Sequence, residues 1–173
     1  QNLLKISRNG GGIGYHSGQA QKTSHRFMSM NVKDLLQNLL AIPSVNPVFG
    51  AEDPSWVGER LLTDFLEKWV NERGWQWLRQ EVHPGRENLD VLIPAASGPS
   101  DLPVTLWEVH QDTVGVAGMT VDPCGSTERE GRIYGRGACD VKGGMAAMLT
   151  ALATAEDRNG TILLALTVNE ECG

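Results

Sequence analysis

A chain of 173 residues, 40% of them hydrophobic and 21% charged, carries enough apolar material for one globular core. Its 21 acidic against 15 basic side chains leave a net charge of −6, which gives no electrostatic reason to expect nucleic acid or an anionic membrane as partner. No apolar run approaches the roughly 20 residues that a bilayer span needs, and Cys124, Cys139 and Cys172 are too few and too scattered for a disulfide framework, so small-molecule chemistry in a reducing cytoplasm is the expectation.

Residues 1–30 contain Lys5, Arg8, Lys22 and Arg26 but no acid and show no sustained hydrophobic period. They read as a disordered leader, or as sequence upstream of a start at Met28 or Met30, with a transit peptide as the alternative. The NGGGIG within them is not a phosphate loop, because no strand leads in and no helix follows. Asn31 can cap a first helix with the stripe Leu35, Leu36, Leu39 and Leu40, ending before Pro43, and the turn IPSVNP follows. Asp53 and Pro54 are expected to open a second helix whose Trp56, Leu61, Leu62, Phe65, Leu66, Trp69 and Val70 share a face, with Gly74 as its stop. Strands are expected over 75–82, 89–93 and 104–109, a short one over 131–134, and a third helix, rich in Ala and Met, over 144–155. The run TILLALTV, 161–168, suits a central strand covered on both faces. Alternating helices and strands indicate α/β layers.

Within this frame LWEVHQDTVG places His110 and Asp112 two residues apart at the carboxyl end of a strand, where open α/β sheets build their sites. An aspartate at that spacing can hold one ring nitrogen while the other binds a metal. The same pair also occurs for structural reasons alone. Asp140, in GRGACDVKGG, taken singly is a turn residue or helix cap, and the loop lacks the pattern that would assign Lys142 to a nucleotide. Glu170 and Glu171 directly follow TILLALTVN, and adjacent carboxylates repel unless solvent, a shared proton or a cation offsets them. If that strand is central, its end opens onto the crevice of His110, and a set of one histidine and several carboxylates suits zinc.

The segments HQD at 110–112, VDP at 121–123, GRIYGRGACDVKGGMAAML at 131–149 and NEECG at 169–173, with IPSVNP and GRENL upstream, resemble the zinc-dependent M20 peptidases. That family includes acetylornithine deacetylase, succinyl-diaminopimelate desuccinylase, aminoacylase-1 and glutamate carboxypeptidases. The resemblance implies a three-layer catalytic domain over 31–173, with helices on both faces of a central mixed, largely parallel sheet. It implies two zinc ions, for which cobalt or manganese can substitute, with His110 on one, Asp140 bridging both through a residue followed by a cis peptide, and Glu171 on the other. Asp112 would orient His110, and Glu170 would be the general base that takes a proton from water and returns it to the departing amine.

The implied reaction is hydrolysis of the amide of an N-acyl amino acid, deacetylase-like before desuccinylase-like, as in arginine biosynthesis. A metallocarboxypeptidase or dipeptidase acting on a short peptide is the alternative, and a non-catalytic remnant is the alternative from another class. The family's remaining ligands and its lid domain, which mediates homodimerisation, are expected downstream of the Glu pair, so the 173 residues alone read as a fragment of low activity. Gly115, Met119 and Cys124 depart from the Pro, Trp and Phe frequent in the family, which affects pocket shape. Thiolate ligation by Cys139 or Cys172, beside Asp140 and Glu171, is a further option.

Overall fold

The computed structural model describes residues 7–8, 11–12, 14–17, 30–96, 104–155 and 157–172. Two two-residue strands, β1 (Ser7–Arg8) and β2 (Gly11–Gly12), pair with each other, and β3 (His16–Ser17) pairs antiparallel with the edge of the main sheet. The rest of the leader expected over 1–30 lies outside the described residues, apart from Gly14, Tyr15 and Met30.

Helix α1 (Val32–Leu40) starts where its cap predicts, with Asn31 Oδ1 accepting the Asp34 N–H at 3.0 Å, and buries Leu35, Leu39 and Leu40. The second helix differs from expectation. Asp53 and Pro54 open only a 3₁₀ turn, Pro54–Trp56, and α2 runs Arg60–Asn71. The cause is a competing pairing: Val45 N–H donates to the Trp56 carbonyl and Gly58 N–H to the Val45 carbonyl, with Gly58 at φ 93, a conformation that no helix continues. Leu61, placed by that longer helix on the core stripe, is consequently 54% exposed.

Strands β4 (Gln76–His83) and β5 (Arg86–Ile93) form a tight hairpin, so β5 begins three residues before the expected 89. β6 (Thr105–His110) extends the expected strand to include the histidine. The short strand near 131–134 is one arm of a hairpin, β7 (Thr127–Arg129) with β8 (Arg132–Tyr134). Helix α3 (Lys142–Thr154) starts two residues earlier than expected, and β9 (Ile162–Thr167) leads to a terminal 3₁₀ turn, Glu170–Cys172.

The main sheet has the order β3-β4-β5-β9-β6 and is mixed: β6–β9 is parallel, and the other pairs are antiparallel. β9 is central, as its apolar run predicts. Core residues Leu89, Val91, Ile93, Val109, Leu164 and Leu166 all stand on one face, packed with Leu35, Leu39, Leu62, Leu66, Met145 and Leu149 of the three helices. Among the described residues the helices therefore cover one face rather than both. The alternate positions, Leu92, Leu163 and Ala165, are half-buried, and Leu106 beside them is 63% exposed. Among the described residues, no helix is long and apolar enough to cross a membrane.

Candidate metal centre

The parallel pairing of β6 with β9 sets His110 opposite Thr167, and the Gln111 N–H continues the ladder to the Thr167 carbonyl at 2.7 Å. Two parallel strands in this register must release their following residues side by side. Asp112 and the Glu170–Cys172 turn consequently meet, although 58 positions separate Asp112 from Glu170 in sequence. Gln111 points into the core and locks the junction: its amide donates to the Leu166 carbonyl, and its Oε1 accepts from Thr63 of α2.

The loop IPSVNP runs alongside. Thr113 N–H donates to the Ser44 carbonyl and Asn46 N–H to the Thr113 carbonyl, which brings the buried Asn46 against Asp112. Asn46 Nδ2 donates to Asp112 Oδ2 at 2.7 Å. The same carboxylate accepts the N–H groups of Glu170, on Oδ1, and Glu171, on Oδ2, both at 3.1 Å. Asp112 thus caps the turn that carries both glutamates. Towards His110, it is the Asp112 carbonyl that meets Nδ1, at 3.0 Å, with the carboxylate at 3.6 Å.

His110 Nε2 faces the other way, 3.1 Å from Asp140 Oδ1 and 3.9 Å from Glu170 Oε2. Asp140 is brought there by the loop ahead of α3, and the Asp140–Val141 peptide is cis. The loop is tied down by Lys142, 2% exposed, whose Nζ donates to the Ile42 carbonyl at 2.6 Å just past α1. Burial pulls that ammonium down to about 8.

One ligand atom each from His110, Asp140 and Glu171 lies within 4.8 Å of the others. Of the expected site residues, the geometry brings these three together, with Glu170 beside them and Asp112 behind. Cys139 is exposed and Cys172 half-buried, and neither belongs to the cluster.

Electrostatics supports a cation here. Burial opposes charging of His110, but the Asp112 carbonyl and the carboxylates of Asp140, Asp112 and Glu170 outweigh it and raise its pKa. Burial first, then the neighbouring Asp140, push the Glu171 carboxyl above the usual range, against a smaller opposing effect of His110. Crowded carboxylates around one imidazole nitrogen are what a divalent cation neutralises, and mixed nitrogen and oxygen donors suit zinc. The residues fit the metal that the sequence resemblance implies.

A cleft of about 430 Å³ opens beside the cluster, lined by Asp140 and Glu171 with Val114, Met119, Tyr134 and Arg136. Met119 also lines a neighbouring cavity of about 600 Å³ with Phe49, Trp56, Gly115 and Pro123. Gly115 and Met119, two of the departures seen in sequence, therefore shape these walls, and a Cβ at Gly115 would stand 3.2 Å from that of Phe49.

Sequence reasoning missed the supports of the Glu pair. Arg86 donates to Glu59 through two nitrogens and to Asn169 Oδ1 at 3.0 Å, and Asn46 reaches the same oxygen at 3.2 Å. A signal was available for Asn169 alone: an asparagine directly after a strand is a common site of positive φ, here 72.

Residues 106–173 match the family described as peptidase family M20/M25/M40. The chain is 35% identical over 147 residues to succinyl-diaminopimelate desuccinylase of Wolinella succinogenes, an alignment covering 83% of this chain and 35% of that relative. It is 30% identical over 114 residues to acetylornithine deacetylase of Myxococcus xanthus, covering 65% and 30%. An M20 family metallo-carboxypeptidase from Sulfolobus solfataricus superimposes with a TM-score of 0.62 at 22% identity, over 76% of this chain and 29% of that one. The chain spans about a third of the length of the curated relatives it matches. Residues 106–173, which hold His110, Asp140, Glu170 and Glu171 alike, belong to peptidase family M20/M25/M40.

Proposed function

We propose that His110, Asp140 and Glu171 hold zinc, and that the protein to which residues 31–173 contribute the amino-terminal part of a catalytic domain hydrolyses the amide bond of an N-acyl amino acid in the cytoplasm. The observation that carries this reading is the meeting of three ligand atoms within 4.8 Å at the ends of β6, β9 and the loop before α3. If two ions bind, as the family resemblance implies, His110 would hold one, Glu171 the other, and Asp140 would serve both. Zinc bound there supplies Lewis acidity, which brings water within reach of a carboxylate base at neutral pH and polarises the scissile carbonyl.

The rest falls to the chain itself. Glu170, its side chain 58% exposed, takes the proton of the attacking water on a carboxylate oxygen and delivers it to the leaving nitrogen. Asp112 keeps that carboxylate in place by holding the Glu170 and Glu171 amides. The relatives support an acyl amino acid as substrate, and a desuccinylase before a deacetylase, which reverses the order drawn from sequence. A homodimer of the whole protein completes the proposal.

The test is a titration of the chain with Co(II), followed by visible absorption, and with Zn(II), followed by calorimetry. Saturable binding that His110→Ala abolishes is expected. Equal uptake by the variant would end the metal reading. In the whole protein with zinc present, release of succinate from an N-succinyl amino acid, against acetate from N-acetylornithine and amino acids from a dipeptide, distinguishes the substrate classes.

A further inference from the structure

Four consecutive residues at the end of β9 are each held by a side chain from another part of the chain. Asn88 Oδ1 accepts the Val168 N–H at 2.9 Å, Arg86 and Asn46 grip Asn169 Oδ1, and Asp112 accepts the N–H groups of Glu170 and Glu171. Behind Arg86 stands Glu59, the residue preceding α2, its side chain 0% exposed and bonded to Arg86 Nε at 2.7 Å and also to Nη2. Arg86 opens β5, so this fork links the start of α2, the β4–β5 hairpin and the Glu pair in one network.

A buried ion pair is weak evidence for stability, because desolvating both charges offsets their attraction. Its geometry, however, is directional. The planar guanidinium offers donors in fixed directions, and here two point to Glu59 while Nη1 points to Asn169. Asn169 sits at φ 72, where the chain leaves the sheet and turns to present Glu170 and Glu171. Rotation of this residue would carry both carboxylates away from His110 and Asp140.

We propose that Arg86, oriented by Glu59, is a positioning residue of the metal centre: through Asn169 it fixes the backbone that sets Glu170 and Glu171 beside His110. Arg86 touches no ligand atom, and its effect passes through the main chain. This inference rests on the metal reading above for its consequence in affinity, and on the network alone for its consequence in backbone order.

Two variants separate positioning from folding. Arg86→Lys keeps the charge and loses the fork. The double variant Glu59→Gln with Arg86→Gln leaves no unpaired buried charge. In metal-free protein, hydrogen exchange at the Glu170 and Glu171 amides is expected to quicken about tenfold while the β9 amides keep their protection. Co(II) affinity is expected to fall about tenfold, within the range for groups supporting metal ligands, with a changed d–d spectrum. Equal loss of protection across β9 would assign the pair a purely structural role and overturn the proposal, as would unchanged exchange at 170 and 171. Unchanged cobalt affinity despite faster exchange would overturn its link to the metal. If the unaltered chain takes up no cobalt, the metal reading fails instead, and the exchange arm decides positioning alone.

Discussion

Asp112 grips the main chain of Glu171 more closely than it grips the ring of His110. Its Oδ2 accepts the Glu171 N–H at 3.1 Å, whereas Oδ1 lies 3.6 Å from His110 Nδ1, which meets the Asp112 carbonyl instead. The HxD spacing therefore orients the imidazole through the backbone and frees the carboxylate to organise the two glutamates.

Asp112→Ala removes the acceptor of three donors at once, Asn46 Nδ2 and two main-chain N–H groups. With the position 1% exposed, water replaces little of what is lost. At roughly 1–3 kcal/mol for each buried donor left unsatisfied, a loss of about 3 kcal/mol or more in urea unfolding is expected. Asp112→Asn keeps one accepting oxygen and turns a donor towards donors, so it should fold better than the alanine variant yet bind Co(II) about 10–100-fold more weakly than the unaltered chain. Equal cobalt affinity in Asp112→Asn would show that the clamp is irrelevant to the site.

How much of this was legible beforehand follows from the range of each signal. The cap at Asn31, the stripe of α1 and the apolar run of β9 were readable, because capping and periodicity are local marks of helix starts and buried faces, whereas the grouping of His110, Asp140 and Glu171 was implied by the family resemblance rather than by spacing alone. The start of α2 was misplaced because the bridge from Val45 to Val57 joins segments through tertiary contact, which a helical stripe cannot reveal. The roles of Glu59 and Arg86 were illegible for the same reason. Single charges at a helix start and a hairpin turn read as solvated until the fold brings them together.

Glu170 and Glu171 are adjacent but are proposed to have different tasks, which metal titration separates. Glu171 joins the ligand cluster, and its carboxyl is already pushed up by burial and by Asp140. Glu171→Gln should therefore weaken Co(II) binding by at least about tenfold. Glu170 lies outside the ligand trio, with its nearest oxygen 3.9 Å from His110 Nε2. Glu170→Gln should keep cobalt affinity within a few-fold and, in the whole protein, lower kcat without a matching rise in KM. Interchanged outcomes would interchange the roles.

Asp90 supplies a pH-dependent term away from the site. It stands on the half-covered face of β5, paired in the ladder with Leu78 and Ala165, and burial raises its pKa. The folded state then holds the proton more tightly than the unfolded chain. Stability from this group is greatest below the unfolded value of 3.8 and declines as pH rises through the folded value. Asp90→Asn should thus raise the urea midpoint at pH 7 relative to the unaltered chain, with the advantage shrinking as pH falls from 7 towards the unfolded value of 3.8. A constant difference across that range would mean that the amide acts through packing rather than charge.

The two glycines opening α3 make opposite predictions. A Cβ at Gly143 would overlap the carbonyl oxygen of Ala138, a backbone atom of the loop that carries Asp140, so it can be accommodated only by moving that loop. A Cβ at Gly144 would meet Val141 Cγ2 at 3.4 Å, an ordinary contact. Gly143→Ala should cost about 1–3 kcal/mol by overpacking and, because the displaced segment bears the proposed ligand Asp140, should lower Co(II) affinity as well. Gly144→Ala should leave affinity unchanged and gain up to about 1 kcal/mol from helix propensity. Denaturation and cobalt titration of the two variants, side by side, test whether close approach of α3 to the 138–140 loop holds Asp140 against His110. Equal behaviour of both would show that the loop adapts freely and that Asp140 is positioned by other contacts.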